Sequence, residues 1–392
     1  MATLSRGHVF IMAITAGVCV ANVYYSQPIL HEIAASFGIT AAAAGNISVL
    51  SQVGYGIGLF FLTPLGDMME RRKLILYLQL FLFLGLLLLT FSGSLWMLYA
   101  GFLIVGVFAV IAQVILPMAA SLVVKDRGKI VGQIFTGVLI GILLARVFSG
   151  ALAAWLGWRA VYAASALMVA ATALLMQADF PRVYERFNGN YADLLRSTLF
   201  QLKRFPLLRQ TAITGALAFG LLSAFWVTLT FYLSGPPFNY TSVTIGLFGF
   251  LAAAGALAAP LFGKASDSGM PAKSLIFSTV LTLAGCLGIL FLPSGILAIC
   301  VAVVLIDVGV QATQVTNIAM IYRLDQASNS RINTVYMTGY FIGGALGAYG
   351  GILCWNAGGW QWSAGFLVIL AVAALVNVLV IHSRIQRESR LG

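Results

Sequence analysis

Charged residues are scarce in this chain of 392 residues. Asp, Glu, Lys and Arg together make up 8% of it, whereas hydrophobic residues make up 61% and the mean hydropathy is +0.99. Because a soluble domain carries about 25% charged residues, the composition excludes a soluble globular protein. It predicts a polytopic helical protein that lies in a lipid bilayer, with room for about twelve crossings of ~20 residues each.

Several kinds of chemistry lack the residues they need. The sequence has no Gly-x-x-x-x-Gly-Lys-Ser/Thr phosphate loop and no cluster of potential metal ligands, so we expect no ATP hydrolysis, metal or cofactor. An enzyme or a membrane sensor would need a soluble output domain or a second catalytic residue at mid-membrane depth, and the sequence offers neither. The cysteines lie separately in apolar runs and predict no disulfide: Cys19, Cys286, Cys300 and Cys354.

Apolar runs of spanning length define the predicted crossings. The first run is longer than the apolar part of a signal peptide, so we expect it to remain as a helix. The runs fall near 8–30, 42–65, 74–93, 96–121, 131–154, 160–178, 210–234, 243–265, 274–293, 295–321, 332–355 and 363–382.

The basic residues are distributed unevenly between the two faces. All of the 22 Lys and Arg residues except Arg146 and Arg159 fall at the termini or in alternate loops on one side. The positive-inside rule assigns that side to the cytoplasm, so both termini are predicted to be cytoplasmic. The net charge of +11 therefore reflects topology, and nucleic acid is not a predicted partner.

Internal duplication divides the chain. A charged hairpin at 64–73 returns at 263–273, so we predict one six-helix bundle over 1–178 and another over 210–392. Between them, 179–209 is predicted to be a cytoplasmic linker. Its leucines recur at helical spacing beside basic residues, which favours an amphipathic helix on the membrane surface: Leu194, Leu195, Leu199 and Leu202.

The hairpin resembles the loop motif of the major facilitator superfamily, Gly-x-Leu-Ala-Asp-Arg-x-Gly-Arg-Lys. Leu65, Asp67, Arg71 and Arg72 match it, whereas Thr63 replaces the first Gly and Glu70 the second. The resemblance covers essentially the whole chain. It implies twelve transmembrane helices in two pseudo-symmetric halves, and a transporter that functions as a monomer.

Three further segments resemble a subgroup described as arabinose-efflux-permease-like, within the twelve-helix drug:proton antiporters. They are 22–28 in the first span, 141–150 in the fifth and 305–311 in the tenth. The fifth span lacks the Pro of the antiporter motif, and Gly101 occupies the region where many members place an Arg. The resemblance implies a proton-coupled exporter in a bacterial inner membrane and does not name its substrate.

The charged hairpins are candidates for a conformational latch between helices. A carboxylate near a helix N-terminus is stabilised by the helix dipole, and such a contact would have to break when the cytoplasmic side opens. The alternative is a solvated loop that only enforces topology. The latch residues are Asp67, Glu70, Arg71, Arg72 and Asp267.

Arg146 and Asp307 are the only ionisable residues near the middle of a predicted span. A charge there costs at least ~2.5 kcal/mol on insertion scales, so such residues are usually paired and functional. We predict that both take part in proton coupling. A static ion pair is the alternative.

Aromatic and amide side chains in the spans predict a substrate cavity. An aromatic belt at the membrane interface is the alternative for those near span ends. The cavity residues are Tyr24, Tyr25, Gln27, Gln113, Trp226, Tyr232, Gln311, Asn317, Tyr336 and Tyr340. We assign no role to His8, His31 and His382.

Glycines at four-residue spacing predict close helix packing. In the superfamily the helices that carry them face across the two halves, so we expect movable contacts there; simple packing is the alternative. The interface glycines are Gly137, Gly141, Gly339, Gly343 and Gly347.

These observations predict a secondary transporter that exports a small amphipathic, sugar-like or drug-like solute in exchange for protons. Two alternatives remain open: a proton-coupled importer of a small organic solute and, more remotely, a non-transporting membrane sensor.

Overall fold

The chain folds into helices joined by short turns. A computed structural model describes residues 5–123, 127–179, 189–253, 271–293, 295–325 and 328–391, and within them it contains helices and no strands. The helices are α1 (Arg6–Ala21), α2 (Leu30–Phe37), α3 (Ala41–Phe61), α4 (Arg71–Thr90), α5 (Leu95–Phe108), α6 (Ile111–Leu122), α7 (Arg127–Leu156), α8 (Trp158–Asp179), α9 (Tyr191–Arg204), α10 (Pro206–Ser234), α11 (Ser242–Ala253), α12 (Pro271–Phe291), α13 (Ile296–Ile321) and α14 (Asn329–Leu391).

These helices account for twelve crossings. Nine of the described segments are long and apolar enough to span a membrane, and α14 supplies two crossings because its backbone is not helical at Gly358 and Gly359. The shorter apolar helix α1 lies in the first predicted run, and α11 covers the start of the run at 243–265, of which 254–265 lies outside the described residues. Helices α5 and α6 together form one span, Leu95–Leu122.

Local signals in the sequence set several helix ends. Thr40 accepts a hydrogen bond from the Ala43 amide at the start of α3, and Ser94 caps α5 in the same way. Gly38 ends α2 with a φ of 61°, and Gly359 turns the chain within α14 with a φ of 65°. Both angles lie in the left-handed region that glycine adopts without steric cost.

Two compact units divide the molecule. The first unit comprises Met1–Ser197 and Thr241–Gly246, and the second comprises Thr198–Tyr240 and Leu247–Gly392. The start of α11 thus packs with the first unit, although the residues on either side of it belong to the second. Helix α9 contributes its first seven residues to one unit and the rest to the other.

Glycine allows helices α1 and α7 of the first unit to pack backbone against backbone. A Cβ added to Gly141 would lie 2.4 Å from the carbonyl oxygen of Gly17, and one added to Gly137 would lie 2.5 Å from that of Ala13. Both distances are far shorter than a carbon–oxygen contact allows. The open side of Gly141 is thus filled by α1 of the same unit.

The same arrangement recurs in the second unit between α10 and α14. A Cβ on Gly343 would lie 2.3 Å from the Ala216 carbonyl oxygen, and Gly339 approaches Ala212 more loosely, at 3.6 Å. Gly343 thus packs against α10 of its own unit. Glycines at every fourth position predict that another helix packs closely, but they do not indicate which helix it is.

Candidate functional site

A guanidinium lies buried in the first unit. Arg146 on α7 is 3% exposed, and its Nε donates a hydrogen bond of 2.8 Å to Oε1 of Gln27. Gln27 opens the 3₁₀ turn Gln27–Ile29 that follows α1. The Arg146 guanidinium also lies 5.4 Å from the centre of the Tyr24 ring, within cation–π range. Three sequence-predicted residues thus form one charged, aromatic and amide cluster.

Polar groups of α1 and α8 continue this cluster. The Ser165 hydroxyl donates to Oδ1 of Asn22 at 2.7 Å, and Asn22 Nδ2 donates to the Val18 carbonyl at 2.9 Å. Tyr25 hydrogen-bonds with Ser165 as well, and its ring lies 5.8 Å from that of Phe148. Tyr24 and Tyr25 are both buried.

Sequence reasoning missed part of this network. Asn22, at the end of α1, and Ser165, within α8, are polar residues in apolar runs, which is the signal that could have identified them; both are fully buried. Tyr55 on α3 is also buried and hydrogen-bonds with Gln113 on α6. Gln113 was predicted, but its partner was not.

The second unit holds a separate aromatic and amide cluster. Asn317 on α13 donates to the Tyr336 hydroxyl at 3.4 Å and to the Thr211 carbonyl at 3.3 Å. Tyr340 donates to Oε1 of Gln314 at 3.4 Å, and its ring stacks on Phe219 at 4.2 Å with an interplanar angle of 15°. Gln314 and Phe219 were not predicted, although the helical period places each on the same side of its helix as a predicted residue.

Helices α10 and α13 carry the other predicted residues of this unit. Asp307 is 3% exposed on α13, and Trp226 is 1% exposed on α10 with its indole 6.0 Å from the Phe225 ring. Gln311 is half-buried one turn after Asp307. Buried carboxylates are rare in the described spans, where Asp307 is the only one.

Tyr232 has a different environment from the other predicted cavity residues. Its ring stacks on Trp360 at 4.3 Å, and its hydroxyl donates to the Pro293 carbonyl at 3.0 Å. Both its ring and its hydroxyl are thus used in joining the ends of helices. The role of Tyr232 in a cavity stays a prediction.

The first charged hairpin is held together by Arg71, which is 3% exposed. Its Nη2 lies 3.3 Å from Oδ1 of Asp67, its Nε donates to the Gly66 carbonyl at 3.1 Å, and its Nη1 donates to Ser121 Oγ at 3.3 Å. Since Ser121 lies near the end of α6, Arg71 links the hairpin to a third helix. A planar guanidinium can make these three bonds at once, and an ammonium group cannot.

The other latch candidates differ in their surroundings. Arg72 donates to the carbonyl oxygen of Gln177 near the end of α8. Glu70 is 5% exposed and lies 3.9 Å from the ammonium group of Lys73. Asp267 lies outside the described residues. Within those residues no three His, Cys, Asp or Glu side chains are grouped so that they could hold a metal ion.

Comparison with known proteins identifies the family. Residues 12–348 match the family model described as Major Facilitator Superfamily. The chain is 40% identical over 378 residues to the uncharacterized transporter YgaY of Escherichia coli O157:H7, covering 96% of this chain and 95% of YgaY. It is 30% identical over 365 residues to SCO4007 of Streptomyces coelicolor, also named a transporter, covering 89% of this chain and 84% of that protein.

A solved structure shows the same architecture. A POT family transporter, crystallised in complex with a thioalcohol-conjugated peptide, aligns with a TM-score of 0.74 over 97% of this chain and 96% of its own. Sequence identity is 13%, so this likeness shows the fold alone.

The chain belongs to the Major Facilitator Superfamily. It is a multi-pass membrane transporter and not an enzyme. The predictions of the superfamily, of the all-helical twelve-span fold with two pseudo-symmetric halves, and of a non-enzymatic protein are confirmed.

Proposed function

We propose that this transporter exports a small amphipathic solute in exchange for protons by alternating access. The observation that supports it most is the buried Arg146, which bonds to Gln27 and faces the Tyr24 ring. A cation held in a dry helical bundle is costly unless it serves a partner or a ligand. We infer that it orients the polar or weakly anionic end of a solute whose apolar part lies against the aromatic rings.

Asp307 is the proposed proton carrier. It is the one buried carboxylate of the described spans, and a carboxyl group can bind and release a proton. The cluster of Asn317, Tyr336 and Tyr340 in the same unit supplies hydrogen-bonding and stacking groups for the solute. In this proposal Arg146 acts within the first unit and Asp307 within the second.

Import driven by protons is the second candidate, because the same residues could couple inward movement. The positive-inside distribution supports an orientation with both termini in the cytoplasm, in a bacterial inner membrane. We further propose that the protein acts as a monomer, with bundles over 1–178 and 210–392 joined by the cytoplasmic linker 179–209.

The test uses purified full-length protein in proteoliposomes that contain the pH indicator pyranine. A panel of sugars, organic acids and aromatic drugs is first screened for thermal stabilisation, and stabilising compounds are then assayed for movement coupled to protons. Outward movement of solute with inward movement of protons supports export, and movement of both in one direction supports import. Coupling of solute movement to protons is excluded if solute moves without any change in internal pH.

Two substitutions separate the proposed roles. Asp307→Asn should abolish accumulation driven by a pH gradient and preserve counterflow of solute in its absence. Arg146→Ala should weaken solute binding by tenfold or more, which corresponds to about 1.4 kcal/mol. If Asp307→Asn still concentrates solute with the wild-type pH profile, the proton is carried elsewhere.

A further inference from the structure

Three polar residues of the first unit meet outside the cluster around Arg146. His31 and Glu32 lie in the first turn of α2, and Ser242 begins α11. The Ser242 hydroxyl donates to Oε1 of Glu32 and lies 3.4 Å from Nε2 of His31. An imidazole, a hydroxyl and a carboxylate are thus joined in a short hydrogen-bonded chain.

These hydrogen bonds hold Thr241–Gly246, a segment of the first unit whose neighbours along the chain belong to the second unit. Thr241–Gly246 packs with the first unit, whereas Tyr240 and Leu247 belong to the second. In the first unit as described, this is the only segment that follows residue 197. Its position therefore depends on contacts made by a few residues, and Ser242 is the one whose side chain bonds to α2.

The same segment packs against α7 beside Arg146. A Cβ on Gly150 would lie 2.3 Å from the Ser242 carbonyl oxygen, and one on Gly246 would lie 2.6 Å from the Arg146 carbonyl oxygen. Gly150 lies four residues after Arg146, and Gly246 lies four residues after Ser242, so the two helices touch through their backbones over one turn. The hydrogen bonds of Ser242 lie at one end of this contact and Arg146 at the other.

The surroundings of His31 favour its neutral form while the segment is in place. Burial lowers the pKa of the His31 imidazole, and the Glu32 carboxylate opposes that shift to a smaller extent. Nδ1 of His31 is buried and has no hydrogen-bond partner among the residues the structure describes. A proton placed there would find no acceptor, so protonation requires the imidazole to reach water.

Other charged groups near α2 lie too far along the helix to replace Glu32. Arg159 contacts the far end of α2, where its guanidinium lies 5.5 Å from the Phe37 ring and 3.4 Å from Ser36 Oγ. Helix α3, which packs against α2, has Tyr55 as its only titratable side chain.

We propose that His31, Glu32 and Ser242 form a proton-binding site that holds Thr241–Gly246 on the first unit and releases it when His31 takes up a proton. The charge distribution assigns this end of α2 to the face opposite the cytoplasm. In the proton exchanger proposed above, on which this role rests, acid on the outer face would free the segment that packs beside Arg146.

The direction of the pH effect follows from the two states of His31. An imidazole in water has a pKa of about 6.5, and the buried one has a lower pKa. Protons therefore bind preferentially to the released state. Above about pH 6.5 both states are neutral and the segment stays in place; as the pH falls below that value, release becomes progressively more favourable.

The experiment measures exposure of the segment by thiol labelling. Ile245 is 1% exposed within the segment, so Ile245→Cys is the reporter in a full-length background without native cysteines. Gly93→Cys normalises the reagent, because a Cβ at Gly93 meets no atom within 4 Å. A membrane-impermeant maleimide is added from outside at about pH 7.5 and about pH 5.5, on either side of the histidine pKa.

The labelling ratio of position 245 to position 93 should rise at least about threefold on acidification, which corresponds to under 1 kcal/mol. His31→Gln should abolish that rise, and Ser242→Ala should give a high ratio at both pH values. Glu32→Gln should move the rise to lower pH, because it removes the carboxylate that favours the imidazolium. His8→Gln is the matched histidine control and should leave the rise unchanged.

The outcomes are decisive for the site whether or not transport is found. A rise that persists in His31→Gln, or a parent ratio that does not change with pH, overturns the proposal. If His31→Gln fails to reach the membrane, His31→Asn replaces it and should also abolish the rise. Because labelling needs no solute, absence of solute flux would reject the proposed function and leave this result standing.

Discussion

Gly347 and Gly220 touch through their backbones: a Cβ on Gly347 would lie 2.1 Å from the Gly220 carbonyl oxygen. The contact joins α14 to α10 in the second unit, and Gly141 with Gly17 joins α7 to α1 in the first. Membrane helices associate through close packing of this kind because lipid offers no hydrophobic driving force between them. The two units therefore use the same device for equivalent helix pairs.

Gly347→Ala should destabilise the second unit. The added methyl group meets backbone atoms that cannot rotate away, and overpacking of this kind costs typically 1–3 kcal/mol. The measurement is the melting temperature of the purified protein in detergent. Gly339→Ala on the same helix is the control, since its Cβ would lie at an ordinary 3.6 Å from the Cβ of Ala212. Equal melting temperatures for the two variants would contradict the prediction.

Gly141→Ala should have a comparable effect, about 1–3 kcal/mol, in the first unit. Gly132→Ala is the matched control on α7, because a Cβ there meets nothing within 4 Å and the residue is exposed. Gly132→Ala should be neutral or slightly stabilising, since alanine favours helix over glycine by up to ~1 kcal/mol. A stable Gly141→Ala variant would show that α1 and α7 can separate without cost.

Arg71→Lys should slow transport about tenfold, or about 1.4 kcal/mol in barrier height. Lysine cannot reproduce simultaneous bonds to Gly66, Asp67 and Ser121. Because Gly66, Asp67 and Ser121 are not predicted cavity residues, the dissociation constant of a stabilising solute should change by less than about threefold. Initial rates in proteoliposomes and ligand titration measure the two quantities.

Lys73→Gln provides the control for the hairpin. Its side chain is 65% exposed and lies 3.9 Å from Glu70, so its ion pair should contribute little. Transport at the wild-type rate is expected. If Arg71→Lys weakens solute binding strongly at an unchanged maximal rate, the hairpin takes part in recognition and is not a conformational latch.

Tyr336→Phe should reduce solute affinity about fivefold, or ~1 kcal/mol, if the second-unit cluster contacts solute. The substitution leaves the ring in place and removes the oxygen that accepts from Asn317 Nδ2. Ligand titration of the purified variant measures the effect. Tyr232→Phe is the comparison, because the Tyr232 hydroxyl bonds to Pro293 at the helix end and its loss should not change affinity.

The sequence predicted features that depend on one helix at a time. Span length, the positions of Arg146 and Asp307, and the stripe that includes Gly343 all follow from local composition and the 3.6-residue period. Partners could not be predicted in this way. Nothing in the helical pattern indicates that Arg146 meets Gln27, 119 residues away, or that Gly343 packs against Ala216.

The structure also gives different surroundings to residues that have similar positions in the sequence pattern. Tyr24 and Tyr232 both lie near the end of an apolar run and both fitted a cavity or an interface belt. Tyr24 lies beneath a buried guanidinium, whereas Tyr232 stacks on Trp360. Those environments depend on contacts between distant segments, so they required the three-dimensional structure. The roles of the individual site residues and the boundaries of the two bundles stay predictions.

The bond between Arg146 and Gln27 also bears on how the protein is made. An arginine at the centre of an inserting helix costs roughly 2.5–3.5 kcal/mol, whereas each Leu, Ile, Val or Phe returns about 0.3–0.6. Fourteen such residues lie in Arg127–Leu156, so α7 can enter the bilayer without help from another helix. Gln27 precedes Arg146 by 119 residues and leaves the ribosome first. The hydrogen-bond acceptor, Gln27, is thus already in place when Arg146 is synthesised.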